Sequence, residues 1–446
     1  MSEPASSEVR PKRRVRLWVV VVIAVLAVLA CTTLVVQKLR QQTSLPYELL
    51  RRDTIVNADL WDREPRMMAA GLGFTNIIGV PGITAEDPTL SKTLVELAGG
   101  TWNTVKCAAG QEPTLSNYTA TVESSSLRNA YGQVVFYSDG LPIEFSWPML
   151  ASTLDPTDFR VTLNNGSVMT PQVASINPNF EYNERSVAVI FGHFGNRIAP
   201  DQPGAIYPTK VEVVADDTPL QLFGPNQQKV SAVGLSANSN GSPYTDPDVA
   251  PKDRGGPRLA AAKLSVMSAE GEAAPSVFSQ NLPNDGIALY GDKAKYRLRV
   301  YTTGGMTVGG VRGVFPTDFA RIFRLQAKSS SGATVTLTAT GQDYLIDGAR
   351  VQVVGLADLG KKQDTYDDCY QDDRDNYIDI ILDGDRAAVA KITTVEIPST
   401  GSYTPLYNPG GPGNSPAPGV RYSAPSPPIS QTVTNALDDP MTVTKN

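Results

Sequence analysis

"YRLRVY", residues 296–301, alternates strictly: Tyr296, Leu298 and Val300 fall on one face of an extended chain, and Arg297 and Arg299 on the other. That period of two predicts a strand in an antiparallel sheet with one face packed and one face in water. The same texture recurs on both sides of it. "SVAVIF" (186–191), "KVEVV" (210–214), "ATVTLTA" (333–339), "RVQVVGL" (350–356) and "YIDIIL" (377–382) read as strands, with turn residues between such runs. No alternation of strand and helix interrupts the pattern, so the expected fold is mainly β, built of antiparallel β-sandwich domains.

The chain has 446 residues, 41% of them hydrophobic and 19% charged, enough for two or three domains that each bury a core. Its net charge of −6 excludes a general nucleic-acid binder, which needs a basic face. Basic residues do gather at Arg10, Lys12, Arg13, Arg14 and Arg16, directly before the apolar run "LWVVVVIAVLAVLACTTLVV" (17–36). Twenty residues of helix span about 30 Å, the thickness of a bilayer's hydrocarbon core. The positive cluster keeps the N-terminus in the cytoplasm and sends the rest of the chain out. A signal anchor over 17–37 is the simplest reading. "VLAC" (28–31) also matches a bacterial lipobox, and a cleaved secretory signal is a third reading, although its apolar core is normally shorter. All three place the bulk of the protein outside the cytoplasm, at a cell surface or in a periplasm-like space.

The expected organisation is a cytoplasmic basic segment (1–16), the anchor (17–37), a stalk (38–66), a β region (67–235), a Pro/Gly/Ser/Asp-rich loop or linker (236–258), a second β domain (259–400) and a Pro/Gly-rich tail (401–446). The tail carries nine prolines in its 46 residues and is expected to be extended and mostly unpacked.

Within the first β region, "GLPIEFSWPMLASTLDPTDFRVTLNNGSVMTP" (140–171) carries a Phe–Ser opening and then Asp155, Pro156, Phe159, Val161 and Thr162 in a D-P-x-x-F-x-V-T pattern. This stretch resembles the start of bacterial Ig-like modules of surface-layer and adhesion proteins. The resemblance implies an Ig-like sandwich over 133–222 and a surface setting, and no activity.

Two cysteines, Cys107 and Cys369, lie in the exported part, the minimum for one disulfide in an oxidising compartment. Cys369 sits inside "YDDCYQDDRDNYIDIILDGD" (366–385), a stretch with eight aspartates. Asp367, Asp368, Asp372, Asp373 and Asp375 could supply the carboxylate oxygens that calcium takes. The EF-hand spacing fails, because counting from Asp373 puts Tyr377 at the third ligand position and Ile378 at the glycine. A cation loop, a solvated acidic loop and a pair of catalytic carboxylates therefore stand side by side. Asn117, Asn165 and Asn240 are glycan acceptors if the host is one that glycosylates.

No complete catalytic motif is present. The single histidine, His193, stands in "FGHFGNR" (191–197) without a G-x-S-x-G elbow to supply a nucleophile. Zinc sites of the usual His/Cys set are excluded, and "TTGGMTVGGVRG" (302–313) lacks the Gly-Lys-Ser/Thr ending of a phosphate loop. The expected function is binding or envelope structure, with calcium as the one candidate cofactor and an envelope or cell-surface glycan or protein as partner. A carboxylate- or cation-dependent hydrolase acting on glycans outside the cytoplasm is the alternative.

Overall fold

In the computed structural model all six quoted runs are strands. The structure describes residues 44–71, 74–196, 198, 202–239, 258–278, 286–308, 312–404, 406–407 and 429–445. Tyr296–Thr302 lies inside a six-stranded sheet, between Tyr377–Gly384 on one side and Leu259–Val266 on the other, both antiparallel to it. Beyond these run Ala349–Ala357 and Asp343–Ile346 at one edge and the short parallel strand Thr434–Asn435 at the other.

The alternation in the sequence becomes a row of apolar side chains across three strands. Leu264, Leu298 and Ile380 are directly opposite one another, as are Ala262, Val300 and Ile378, and all six enter one core. That core is closed by a four-stranded antiparallel sheet, Thr334–Leu337, Arg324–Lys328, Ile392–Ile397 and Ile429–Thr432, which contributes Leu325, Leu337, Val395 and Ile397. Each such fully buried aliphatic side chain contributes roughly 1.5–3 kcal/mol relative to exposure.

A second pair of sheets repeats this arrangement earlier in the chain. Ser138–Phe145, buried along its whole length, is central to a sheet with Phe74–Val80, Val122–Glu123, Val187–Gly192, Val173–Ser175 and Met67–Ala70. Its core-facing residues Leu141, Ile143 and Phe145 share a core with Phe159, Val161, Val211 and Val213 of the four-stranded sheet that includes Phe159–Leu163 and Pro208–Val213. Asp155 precedes the short turn Pro156–Asp158, and the strand begins at Phe159.

The two six-stranded sheets also meet each other. In Val187–Gly192 the even residues Ala188 and Ile190 face the core shared with Leu141 and Phe159, while Val187, Val189 and Phe191 join a third cluster with Trp61, Ala261, Tyr301 and Tyr377. The expected wet face of "YRLRVY" is therefore covered: Arg297 and Arg299 are buried, Arg299 at 0% exposure. Alternation reports which residues share a face, and it cannot report what covers that face.

Three further expectations meet a different outcome. Part of the expected stalk packs on the body, since Leu50, Ile55, Ala58 and Leu60 belong to the core of Leu141, Ile143 and Phe159. In the expected linker, Ser236–Asn238 pairs with Pro208–Val213, and residues 240–257 lie outside the described residues. The end of the tail is folded too: Ile429–Thr432 pairs with Ile392–Ile397, and Thr442–Val443 pairs with Ala58–Asp59, because the chain after Pro428 regains β-branched residues. The proline-rich stretch 408–428, the anchor segment 17–37 and Asn240 lie outside the described residues. Among the described residues no helix is long and apolar enough to cross a membrane. From Leu45 onward the chain forms one compact unit.

Cys107 and Cys369 form a disulfide, with Cα atoms 5.3 Å apart across a sequence separation of 262. It ties the segment before the helix Leu115–Tyr118 to the acidic stretch. Closing a loop of that length removes at most about 5–6 kcal/mol of unfolded-state entropy. Cys107→Ser with Cys369→Ser, or reduction of the wild type, is expected to lower the urea unfolding midpoint, with a loss of unfolding free energy within that bound. An unchanged midpoint in reductant would show that the bridge carries no stability.

Candidate functional site

The covered face of Tyr296–Thr302 holds a row of charge. Register places Lys263, Arg299 and Asp379 directly opposite one another on three adjacent strands, and Ala261, Tyr301 and Tyr377 form the next row. Trp61 stacks on Tyr301 at 4.7 Å between ring centroids, Tyr301 stacks on Tyr377 at 5.0 Å, and the Arg299 guanidinium lies 5.3 Å from the centre of the Tyr377 ring. The aromatic stack seals the charges from one side.

Arg299 uses its whole guanidinium. Its Nε donates to Asp379 at 2.7 Å, one terminal nitrogen donates to Asp358 at 2.6 Å, and the other donates to Asp59 at 3.3 Å. Asp59, on the short strand Ala58–Asp59, also pairs with Lys263 and with Arg297. Lys263 completes its shell on the carbonyls of Pro440 and Met441. Burial alone would raise the Asp59 pKa, but Lys263, Arg297 and Arg299 together outweigh it and hold the group well below the usual carboxylate range.

Carboxylates continue past these partners. Glu181 and Glu184 come from the segment between Val173–Ser175 and Val187–Gly192, and Glu272 from the loop after Leu259–Val266. Glu272 accepts from Arg297 at 3.2 Å and from the Asn183 amide at 3.0 Å. Two backbone contacts set this arrangement: Tyr182 N–H donates to the Ala273 carbonyl at 2.8 Å, and Val56 N–H donates to the Tyr182 carbonyl at 2.9 Å. Gly271 allows the approach, for it has φ +96° and a Cβ there would lie 2.4 Å from the Val56 carbonyl oxygen. Asp358 sits just past Ala349–Ala357 at φ 62°, a left-handed conformation uncommon outside glycine.

The carboxylates outnumber the cations. Lys263, Arg297 and Arg299 are matched by Asp59, Asp358 and Asp379, and Arg185 is the other buried arginine near Glu181 and Glu184 among the described residues. Burial, followed by the charge of Asp358, pushes Glu181 and Glu184 well above the ordinary range. Burial also raises Glu272 to about 8, and burial with the Asp358 charge raises Asp375 to about 8. Among the described residues, one buried oxygen each of Glu181, Glu184, Asp358 and Asp373, and the side-chain oxygen of Asn183, has no hydrogen-bond partner.

The acidic stretch divides over these surroundings. Asp367 accepts from Ala108 N–H at 2.6 Å and Asp368 from Lys106 N–H at 3.0 Å, so both hold the backbone flanking Cys107. Asp372 turns inward to Val314 N–H at 2.9 Å and to Arg374 at 3.3 Å. Asp375 accepts from Tyr377 N–H at 2.8 Å and is hydrogen-bonded to Glu184, while Asp373 leaves Oδ2 buried. The stretch is thus folded against the body, not a solvated loop. Of the sequence candidates, Asp373 and Asp375 approach the buried carboxylates; Asp367, Asp368 and Asp372 are engaged elsewhere. Sequence reasoning missed Asp59, Glu181, Glu184, Glu272 and Asp358. The one available signal was the pair of arginines on a strict strand alternation, which need partners if covered.

Of the possible glycan acceptors, Asn165 is exposed, whereas Asn117 is buried, its amide bonded to Thr114 N–H and the Asp368 carbonyl. His193 is exposed just after Val187–Gly192, between buried Phe191 and Phe194.

A cavity of about 480 Å³ opens beside the acidic stretch. Ile78, Leu115, Val122, Pro142, Val189 and Phe191 give it apolar walls, and Asp373, Arg374 and Asn376 stand on its polar side.

Asp59 provides a test of the charge row. Its pKa is lower in the folded than in the unfolded chain, so its contribution is complete above the ordinary carboxylate range and is lost as pH falls below about 4. Asp59→Asn is expected to cost about 3–5 kcal/mol at pH 7, because it weakens the pairing of buried cations. The gap between variant and wild type should narrow from pH 4 to pH 2.5 in denaturant titrations. A gap constant with pH would show that Asp59 is not held ionised by its neighbours.

No protein-family model and no curated protein matches the chain.

Proposed function

We propose that this chain is an exported binding protein, tethered to a membrane by the apolar segment 17–37, with a β-sandwich body that includes an Ig-like module over 133–222. The cavity beside the acidic stretch carries the binding reading. Its volume of about 480 Å³ falls in the range of small-molecule sites, and its walls combine apolar side chains with a few polar groups. Asp373, on the polar side of the cavity, supplies the directional element. The ligand class this favours is a mainly apolar molecule carrying an amine or hydroxyl, taken up outside the cytoplasm at an envelope or cell surface. The disulfide supports that setting, since such bonds persist in oxidising compartments.

The glycan-hydrolase reading needs two carboxylates open to a bulky polar substrate. Glu181 and Asp358 are only 2% and 1% exposed, which favours binding over hydrolysis.

Phenethylamine serves as a probe, followed by saturation-transfer NMR on the full chain in detergent. Saturation transfer is expected with wild type and is expected to vanish in Ala120→Trp, which fills the cavity from its wall. Equal transfer from phenethylamine to wild type and Ala120→Trp would remove the cavity as the binding site.

A further inference from the structure

We propose that Glu181, Glu272 and Asp358 hold a divalent cation, calcium by the chemistry of the donors, at the centre of the buried carboxylate cluster. One oxygen from each of the three lies within 4.8 Å of the others. Three oxygens so spaced share a point at most about 2.8 Å from each, so a small side-chain shift brings all three within calcium's bonding distance of about 2.3–2.6 Å. These residues come from three distant parts of the chain, and the Tyr182–Ala273 backbone bond holds two of them side by side.

Acidity alone would not make a site, and the orphaned atoms carry the argument. Glu181 and Asp358 each leave a buried oxygen without a hydrogen-bond donor. Asp358 gives its Oδ2 to Arg299, which leaves Oδ1 free. Asn183 donates its amide nitrogen to Glu272, and its own oxygen is buried without a partner among the described residues. Buried oxygens in this state are costly unless a proton donor or a cation meets them. The set is all oxygen, with neither sulfur nor imidazole, which favours calcium over zinc or copper. Arg297 and Arg299 do not fill the role, since their bonds run to Glu272 Oε1 and Asp358 Oδ2, while Asp358 Oδ1 and Glu181 Oε2 stay without a donor among the described residues.

The test uses the full chain in detergent, stripped with EGTA and dialysed against calcium. Metal content is read by plasma mass spectrometry and stability by thermal melt. Wild type is expected to retain about one calcium per chain and to melt roughly 3–5 °C higher at a hundredfold excess over Kd. Magnesium should give less, because the cluster lacks the room for its water shell. Glu181→Gln keeps the shape and removes one charge. It should lose the bound calcium and its melting shift, yet melt in EGTA at or above wild type, because a neutral amide needs neither a proton nor a cation to sit among the buried carboxylates. Glu272→Gln is the second variant should the first fail to fold. Asp367→Asn with Asp368→Asn should retain the metal. A wild type that takes up no calcium would overturn the proposal in favour of shared protons. Retention by Glu181→Gln, or loss in the Asp367/Asp368 variant alone, would place the ion elsewhere and overturn it equally.

Discussion

Arg299 is the residue around which the two pairs of sheets are joined. A guanidinium with no exposure has given up its hydration, a loss of several kcal/mol that only close, well-aimed acceptors offset. Its acceptors come from three places: Asp379 from the adjacent strand, Asp358 from the left-handed turn after Ala349–Ala357, and Asp59 from the strand that pairs with Thr442–Val443. The last of these draws both ends of the described chain onto the charge row. The pairing thus fixes more than a contact. It fixes where the early part of the chain and the end of the tail must lie relative to the later sheet.

The same requirement explains why part of the fold was legible in the sequence and part was not. Strands announce themselves locally: Leu298 and Val300 alternate with Arg297 and Arg299 whatever surrounds them, and all six such runs formed strands. What covers a face is a property of distant residues. Arg299 looks like a solvent residue until Glu184 and Asp59 arrive from more than a hundred positions away. For the same reason the buried carboxylates left no local trace. Glu181 and Glu184 sit among asparagines and aromatics in "NFEYNERS" (179–186), with no repeat or spacing to separate them from surface residues. The acidic stretch was conspicuous because its aspartates are consecutive, and adjacency in sequence says little about convergence in space.

Each aspartate of that stretch has a separate task, and the tasks share one physical basis. The side chain of aspartate is short, so its carboxylate reaches backbone N–H groups a few residues away or on a neighbouring segment. Asp367 and Asp368 use this to hold the chain beside Cys107, Asp372 to hold Val314, and Asp385 to accept from Arg350 N–H ahead of the helix Arg386–Val389. Asp379 and Asp383 instead meet arginines across the sheet.

Asp373 differs from these neighbours, and it is the point where the cavity and the cluster touch. Its Oδ2 has no partner, its residue lines the cavity wall, and Asp375, Asp358 and Glu181 all act on it electrostatically. A carboxyl placed this way belongs to two environments, since like charges on one side disfavour its ionised form while a donor from the cavity side would favour it. Cys369 fixes one end of the same loop and Tyr377 begins the central strand at the other. The same side chain thus stands against both the charged sheet interface and the cavity wall, on a loop bounded by the disulfide and the strand.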